Sequence, residues 1–180
     1  MLGKVELIEL FKKNDDLPEL HDDYSTASYY DASINQETDV WHVDFILRPY
    51  PEAMEKTYTG KLFEKHVEHS RVFTAVIGEE EIGWIELGYE SWNNRIRIWE
   101  FLVKKEFRRQ GIGRLLMNKA VELTKEKSAR MLVLETQSNN TSAIAFYMKQ
   151  GFRLIGFDSA AYSNDDIGKK EVRLELGLIP

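Results

Sequence analysis

Six consecutive residues, Arg108-Arg109-Gln110-Gly111-Ile112-Gly113, set two cations beside two glycines where a strand pattern gives way to a helix pattern. A helix start presents backbone N–H groups without intrahelical partners and the positive end of the helix dipole. Glycine lets the backbone come close to a bound group, so the segment suits an anion such as a pyrophosphate. The dinucleotide fingerprint is ruled out because its third glycine is missing, and a P-loop because no Gly-Lys-Ser/Thr comes after it. A tight turn flanked by two solvated arginines fits the same six residues, and the loop alone does not choose. The sequence contains no cysteine, which removes thiolate nucleophiles, disulfides and cysteine metal sites. His66 and His69 stand three apart, a spacing metals use, but no third ligand converges in sequence and no metal is expected.

The elements that would hold this loop are clearest in the later two thirds of the chain. Earlier, residues 4–11 read as a first strand and Asn14-Asp15-Asp16-Leu17-Pro18 as turn chemistry. Trp41, Val43, Phe45 and Leu47 recur with period two, predicting a short strand that Pro49 and Pro51 end, then a helix over about residues 60–69. Residues 72–77 and 82–89 form a hairpin around Gly78-Glu79-Glu80-Glu81, and Trp92-Asn93-Asn94 turns into a third antiparallel strand over residues 95–103. A helix comes next over about residues 111–127, with Ile112, Leu116, Ala120 and Leu123 on one stripe. Then come a short strand over residues 131–135 and a helix over residues 141–150 closed by Gly151. Strands over residues 152–157 and 171–176, joined by the loop Ser163-Asn164-Asp165-Asp166, complete the chain. This order predicts a single α/β domain of 180 residues with a mixed, mostly antiparallel sheet and helices on both faces.

A second motif downstream makes the loop specific. Arg108-x-x-Gly111-x-Gly113 precedes a helix, a short strand, and then Asn140-x-x-Ala143-x-x-Phe146-Tyr147-x-x-x-Gly151-Phe152. These two motifs in this order resemble the GCN5-related N-acetyltransferases (GNAT), over roughly residues 71–176. Trp92-Asn93 and, further on, Leu134-Glu135-Thr136-Gln137-Ser138-Asn139-Asn140 look like the streptothricin acetyltransferases within that superfamily. The resemblance implies acetyl-CoA as cofactor and a splayed central strand pair that opens a cleft for it. The backbone of Phe101, Leu102 and Val103 would then bond the pantetheine arm and the acetyl carbonyl. Arg108 belongs to the same cofactor motif. The amides of Arg109, Gln110, Gly111, Ile112, Gly113 and Arg114 would cradle the pyrophosphate, and Asn140 would touch the cofactor from the second motif. Tyr147 matches the family's general acid, since a phenol with a pKa near 10 holds the proton a leaving thiolate needs. An aromatic pair, Phe146-Tyr147, packing a helix against the core is the competing account.

A transferase of this kind also needs a base for the attacking ammonium. Strand alternation places Glu100 on the face of Ile96 and Ile98, where an ionised carboxylate is costly unless paired or functional. An ordinary ion pair explains it equally well. Glu86, on the preceding strand, is the reserve. Glu86, Trp92 and Glu135 are candidate acceptor contacts, with packing or strand-end bonding as the plainer account of each. Glu79-Glu80-Glu81 reads as a hairpin tip, Asp165-Asp166 as a solvated or cleft-covering loop, and Trp84 and Trp99 as packing.

The net charge of −6 argues against a nucleic-acid partner and favours a small cationic amine, whose local concentration a negative cleft raises. No run approaches the roughly 20 apolar residues that span a bilayer, and the start alternates charge too early for a signal peptide. A cytoplasmic location without membrane partners is the expectation. The acceptors in view are a streptothricin-like antibiotic, a polyamine, an amino acid or a protein amino terminus. A non-catalytic acyl-CoA-binding module is the alternative from another class. Homodimers recur in the superfamily, and nothing in the sequence marks an interface.

Overall fold

Turn chemistry at two points sets the antiparallel part of the sheet. The computed structural model describes residues 3–12 and 18–180, so all of the expected 14–18 turn but Pro18 lies outside the described residues. Strands β1 (Val5–Leu10), β2 (Glu19–Gln36), β3 (Trp41–Lys61), β4 (Arg71–Ile77), β5 (Glu80–Glu90) and β6 (Arg95–Val103) come first. Helix α1 (Ile112–Glu126), β7 (Met131–Gln137), α2 (Thr141–Lys149), β8 (Arg153–Asp158), α3 (Asp166–Lys169) and β9 (Arg173–Leu178) come after them. Ile77 pairs with Glu80, so the β4–β5 turn is only Gly78-Glu79, with Gly78 at φ +63° as a tight hairpin requires. Glu90 pairs with Arg95, and Asn94 takes φ +55° in the four-residue turn between them.

The chain divides into two compact units. The first holds Met1–Asp22, Thr57–Leu134 and Leu178–Pro180, and the second Asp23–Lys56 and Glu135–Gly177. In the first unit the strand order is β1-β4-β5-β6-β7, antiparallel up to β6 and parallel from β6 to β7. Alternation along β5 sends Gly83, Ile85 and Leu87 to one face. A Cβ on Gly83 would touch Leu116 of α1 at 3.3 Å, and Leu87 shares a concavity with Ile96 and Leu123. The helix reaches that face with Ile112, Leu116, Met117, Ala120, Leu123 and Thr124 buried, spacings of three and four that form one stripe. On the opposite face Trp84 packs on a cluster of Leu20, Leu62, Val72 and Leu102. Strand ends from β2 and β3 therefore cover that face. The helix expected over residues 60–69 is instead the end of β3 and a set of turns.

In the second unit β7 lies next to β9 and β9 next to β8, the latter pair antiparallel from Arg153 opposite Gly177 to Asp158 opposite Arg173. Ala32, Ile144, Val172 and Leu174 form its buried cluster. The long ribbon β2–β3 overturns the expectation of one short strand ended by proline: β3 continues through Pro49 and Pro51. Residues two apart direct their backbone N–H groups to the same strand edge, and β3 pairs only with β2 in its two-stranded sheet. Both missing donors can thus fall on the outer edge, where no ladder bond is lost. The 163–166 loop also contains the start of α3. Asp166 there is fully buried, accepting the Tyr162 N–H at 2.9 Å and the Ser163 hydroxyl at 2.7 Å. Asp165-Asp166 is accordingly a folding feature.

Replacing Asp166 by Ala removes both bonds. A lower urea midpoint is expected; an unchanged midpoint would show that water replaces the carboxylate at no cost.

Candidate functional site

The glycine loop is open where an anion needs it to be. Gly111 is the N-cap of α1 at φ +89°, no side chain caps the helix, and its first turn carries no acidic residue. The first intrahelical bond runs from Leu115 N–H to Gly111 C=O at 3.0 Å, so helix geometry leaves the amides of Ile112, Gly113 and Arg114 without intrahelical acceptors. A Cβ built on Gly111 meets nothing within 4 Å, so the helix start is open on that side. Arg109 is held in the left-handed region at φ +61°, a costly conformation for a non-glycine residue. The Gln110 side-chain amide bonds the Glu106 carbonyl at 2.8 Å. Arg108 also makes contacts within the protein. Its Nε donates to the Val103 carbonyl at 2.9 Å and its Nη2 pairs with Asp22, tying the end of β6 to the start of β2.

Strand β6 loses its parallel neighbour halfway along. Register with β7 runs from Arg95 opposite Met131 to Ile98 opposite Leu134 and stops, whereas pairing with β5 continues through Phe101, Leu102 and Val103. This is the splay the resemblance implied.

Glu100 lies on the other face from the one expected. Glu86 pairs with Glu100 but Leu87 pairs with Ile98, so Trp99 is an extra residue, a β-bulge that resets alternation. Ile96 and Ile98 stay on the face of Leu87 and α1, and Glu100 joins Glu86, Trp84 and Leu102. Glu86 is fully buried, and its Oε1 accepts the Phe63 N–H at 3.0 Å and the Ser70 hydroxyl. Burial raises its pKa against the pull of those two bonds. For Glu100, burial pushes the pKa up to about 7. Its Oε2 is buried without a hydrogen-bond partner among the described residues, beside the Tyr58 hydroxyl over Gly60. Glu86 Oε2 is likewise buried without a partner among the described residues, so the two carboxylates differ in that Glu86 is anchored through its other oxygen. Trp92, at the β5–β6 turn, is 79% exposed, so it is not a core residue.

In the second unit Asn140 caps α2, its Oδ1 accepting the Ala143 N–H at 3.3 Å. Tyr147 is buried and packs against Phe146 and Phe152 with ring centroids 5.5 and 5.9 Å apart. Burial raises its phenol above the ordinary value, so the proton is held firmly. Glu135 accepts the Tyr162 hydroxyl at 2.9 Å and pairs with Arg173 at 3.0 Å, which favours the strand-end account of that residue over an acceptor contact. Tyr58, Tyr162 and Asp22 were not found from sequence, because each acts through a partner far along the chain. Among the described residues no group of three or more His, Asp or Glu side chains could hold a metal ion, and His66 packs edge-on against Trp99 at 4.8 Å. No helix among them is long and apolar enough to cross a membrane.

Comparison with known proteins agrees with this arrangement. The acetyltransferase (GNAT) family matches residues 18–152. A streptothricin acetyltransferase of Streptomyces lavendulae is 38% identical over 94 residues, covering 52% of this chain and 50% of that protein. Streptothricin acetyltransferase A of Bacillus subtilis (strain 168) is 40% identical over 74 residues, 41% of this chain and 43% of the relative. The chain thus spans about half the length of these curated relatives. A Bacillus anthracis str. Ames structure described as a streptothricin acetyltransferase in complex with acetyl coenzyme A superposes with a TM-score of 0.76 at 26% identity, over 100% of this chain and 99% of the other. A nourseothricin acetyltransferase gives 0.70 at 26% identity, over 87% and 86%.

The raised pKa of Glu100 predicts a pH-dependent stability. An ordinary glutamate has a pKa near 4.3, so between that value and about 7 the native state binds more protons than the unfolded one. Stability contributed by this group is present at low pH and lost as pH rises through that window. The gain from Glu100→Gln should be on the order of 2 kcal/mol larger at pH 8 than at pH 5. Urea unfolding at the two pH values measures it; equal gains would mean the carboxyl is well solvated.

Proposed function

This chain is a member of the acetyltransferase (GNAT) family, and from that premise we propose that it transfers an acetyl group from acetyl-CoA to a primary amine of a small cationic acceptor of the streptothricin class. The observation that carries the reading is the uncapped start of α1 at Gly111, reached by a strand that bears a buried, unpartnered carboxylate. Acetyl-CoA fits this helix start by chemistry, and when bound it supplies an activated thioester whose C–S bond is exchanged for an amide C–N bond. The amides of Ile112, Gly113 and Arg114 would hold its pyrophosphate, with the exposed Arg109 and Arg114 adding charge. Phe101, Leu102 and Val103 offer the strand edge that β7 leaves.

Glu100 takes the proton of the acceptor ammonium, directly or through one water, because its pKa sits near neutrality. Tyr147 keeps its own proton across the same pH range and returns one to the departing sulfur. The net charge of −6 favours approach of a cation. Acetylation removes one positive charge from the acceptor, and with it an attraction to nucleic-acid phosphates. The streptothricin names of the relatives support that class over a polyamine or a protein amino terminus.

Thiol release from acetyl-CoA against a panel of amines tests the reading. Turnover with streptothricin and little with spermidine is expected; the reverse would move the assignment to polyamines, and none with any amine would leave a binding module. Gly111→Val forces a β-branched residue into φ +89° at the helix start, so acetyl-CoA should bind at least tenfold more weakly by calorimetry. Wild-type affinity would remove the phosphate role of the loop. Tyr147→Phe should lower kcat by about 100-fold or more, in line with the usual size of general acid catalysis, with acetyl-CoA affinity kept. An unchanged kcat would take Tyr147 out of the chemistry.

A further inference from the structure

The start of β2 meets the end of β6 at two places. Leu20 and Leu102 share the buried cluster that backs Trp84. Two residues further along β2, and so on the same face as Leu20, Asp22 pairs with Nη2 of Arg108. The Nε of that guanidinium donates to the Val103 carbonyl at 2.9 Å. One planar fork therefore joins an acid of β2 to the last residue of β6. Only 14% of the Asp22 side chain is exposed, against 34% for Arg108, so the acid lies on the inner side of the pair.

The edge that the Val103 carbonyl faces follows from the strand pairing. The Lys104 N–H donates to the Ile82 carbonyl at 3.0 Å, so Lys104, and with it Leu102, directs its polar backbone groups to β5. In an antiparallel pair the alternate residues, here Phe101 and Val103, turn theirs the other way. That side is the edge β7 leaves after Ile98 opposite Leu134. Arg108 thus occupies the last acceptor of β6 on the open edge, and the Val103 N–H is the final rung of the ladder.

We propose that Asp22 is a positioning residue for the cofactor: by holding Arg108 on the Val103 carbonyl, it ends the open edge of β6 at a fixed rung and sets where the pantetheine arm adds. An extended chain on an edge without such a stop can slip by two residues, roughly 7 Å. A slip of that size carries the reacting carbon away from Glu100. A guanidinium suits the task because its rigid fork serves both partners at once, which a single ammonium on a flexible stem does not. The inference rests on the acetyl-CoA reading of this edge and adds to it a residue from outside both cofactor motifs.

Calorimetry with CoA and with 3′-phospho-ADP, which keeps the pyrophosphate and lacks the arm, separates this role from a contribution of charge. Asp22→Ala should weaken CoA about fivefold, the size of one hydrogen bond, and leave 3′-phospho-ADP unchanged, which also shows that the variant is folded. Arg108→Lys keeps the charge and loses the fork, and it should do the same. Asp22→Asn keeps an oxygen for Nη2 and should lie between the wild type and Asp22→Ala. If the guanidinium serves the pyrophosphate instead, Asp22→Ala releases it and both ligands bind more tightly. That result, an equal change for both ligands, or an unchanged CoA affinity would overturn the proposal. A selective loss of CoA affinity upholds it even if no amine is acetylated, which would sink only the transferase reading. No binding of CoA to the wild type would overturn both.

Discussion

One extra residue in β6 organises its surroundings. Without the bulge, Glu100 would share the face of Ile96 and Ile98 and would lie under α1, where hydrocarbon surrounds it. With Trp99 inserted opposite the Glu86–Leu87 step, the carboxylate turns to the face covered by Leu20, Leu62 and Phe63. The cover there consists of strand ends and turns, and it brings Tyr58 beside the carboxylate. The same slip lays the Trp99 indole over Gly88. A bulge costs ladder bonds, and sheets keep one where a side chain has to be re-aimed.

The two longer helices show opposite treatments of the same problem. Every helix leaves its first amides unsatisfied. At α2 the chain meets this need itself: Asn140 accepts from Ala143, with Ser142 bonded to the same oxygen at 3.3 Å. At α1 the chain provides no cap, keeps acids out of the first turn and sets glycine at a positive φ. A capping side chain is worth on the order of 1 kcal/mol. Omitting one at α1 while using one at α2 leaves only the α1 amides unsatisfied by side chains.

The β2–β3 ribbon contributes to both units. Its inner end supplies Leu20, Tyr58 and Leu62 to the first, and its middle supplies Ala32, Tyr30 and Phe45 to the second. Within the second unit Thr26 donates to the Asn139 carbonyl at 2.7 Å, and Tyr30 N–H to the Ser138 carbonyl at 2.9 Å. The segment that leads from β7 into α2 is thereby tied to the ribbon at two points, fixing the helix that bears Tyr147.

Local pattern was enough to find β1, β4, β5, β6, both longer helices, β7, β8 and β9, because each carries its signal within a few residues: turn glycines, a period-two run, a stripe at helical spacing. The start of α1 at the glycine loop was legible for the same reason, since a helix start with two glycines and flanking arginines is a local event. Three things needed the tertiary structure. The ribbon escaped notice because its strands are mostly exposed and mix polar with apolar residues, and because proline reads as a terminator unless one knows that the strand has a free edge. The face of Glu100 was read wrongly because a bulge is defined by the partner strand, and no residue in β6 announces it. The partners of Arg108 and Glu135 are Asp22, Arg173 and Tyr162, side chains that only folding brings near. The sequence alone therefore determined the family and the order of elements from β4 to β8, because those signals are local. Contacts between residues distant in the chain decided the face of Glu100 and which charges already have partners.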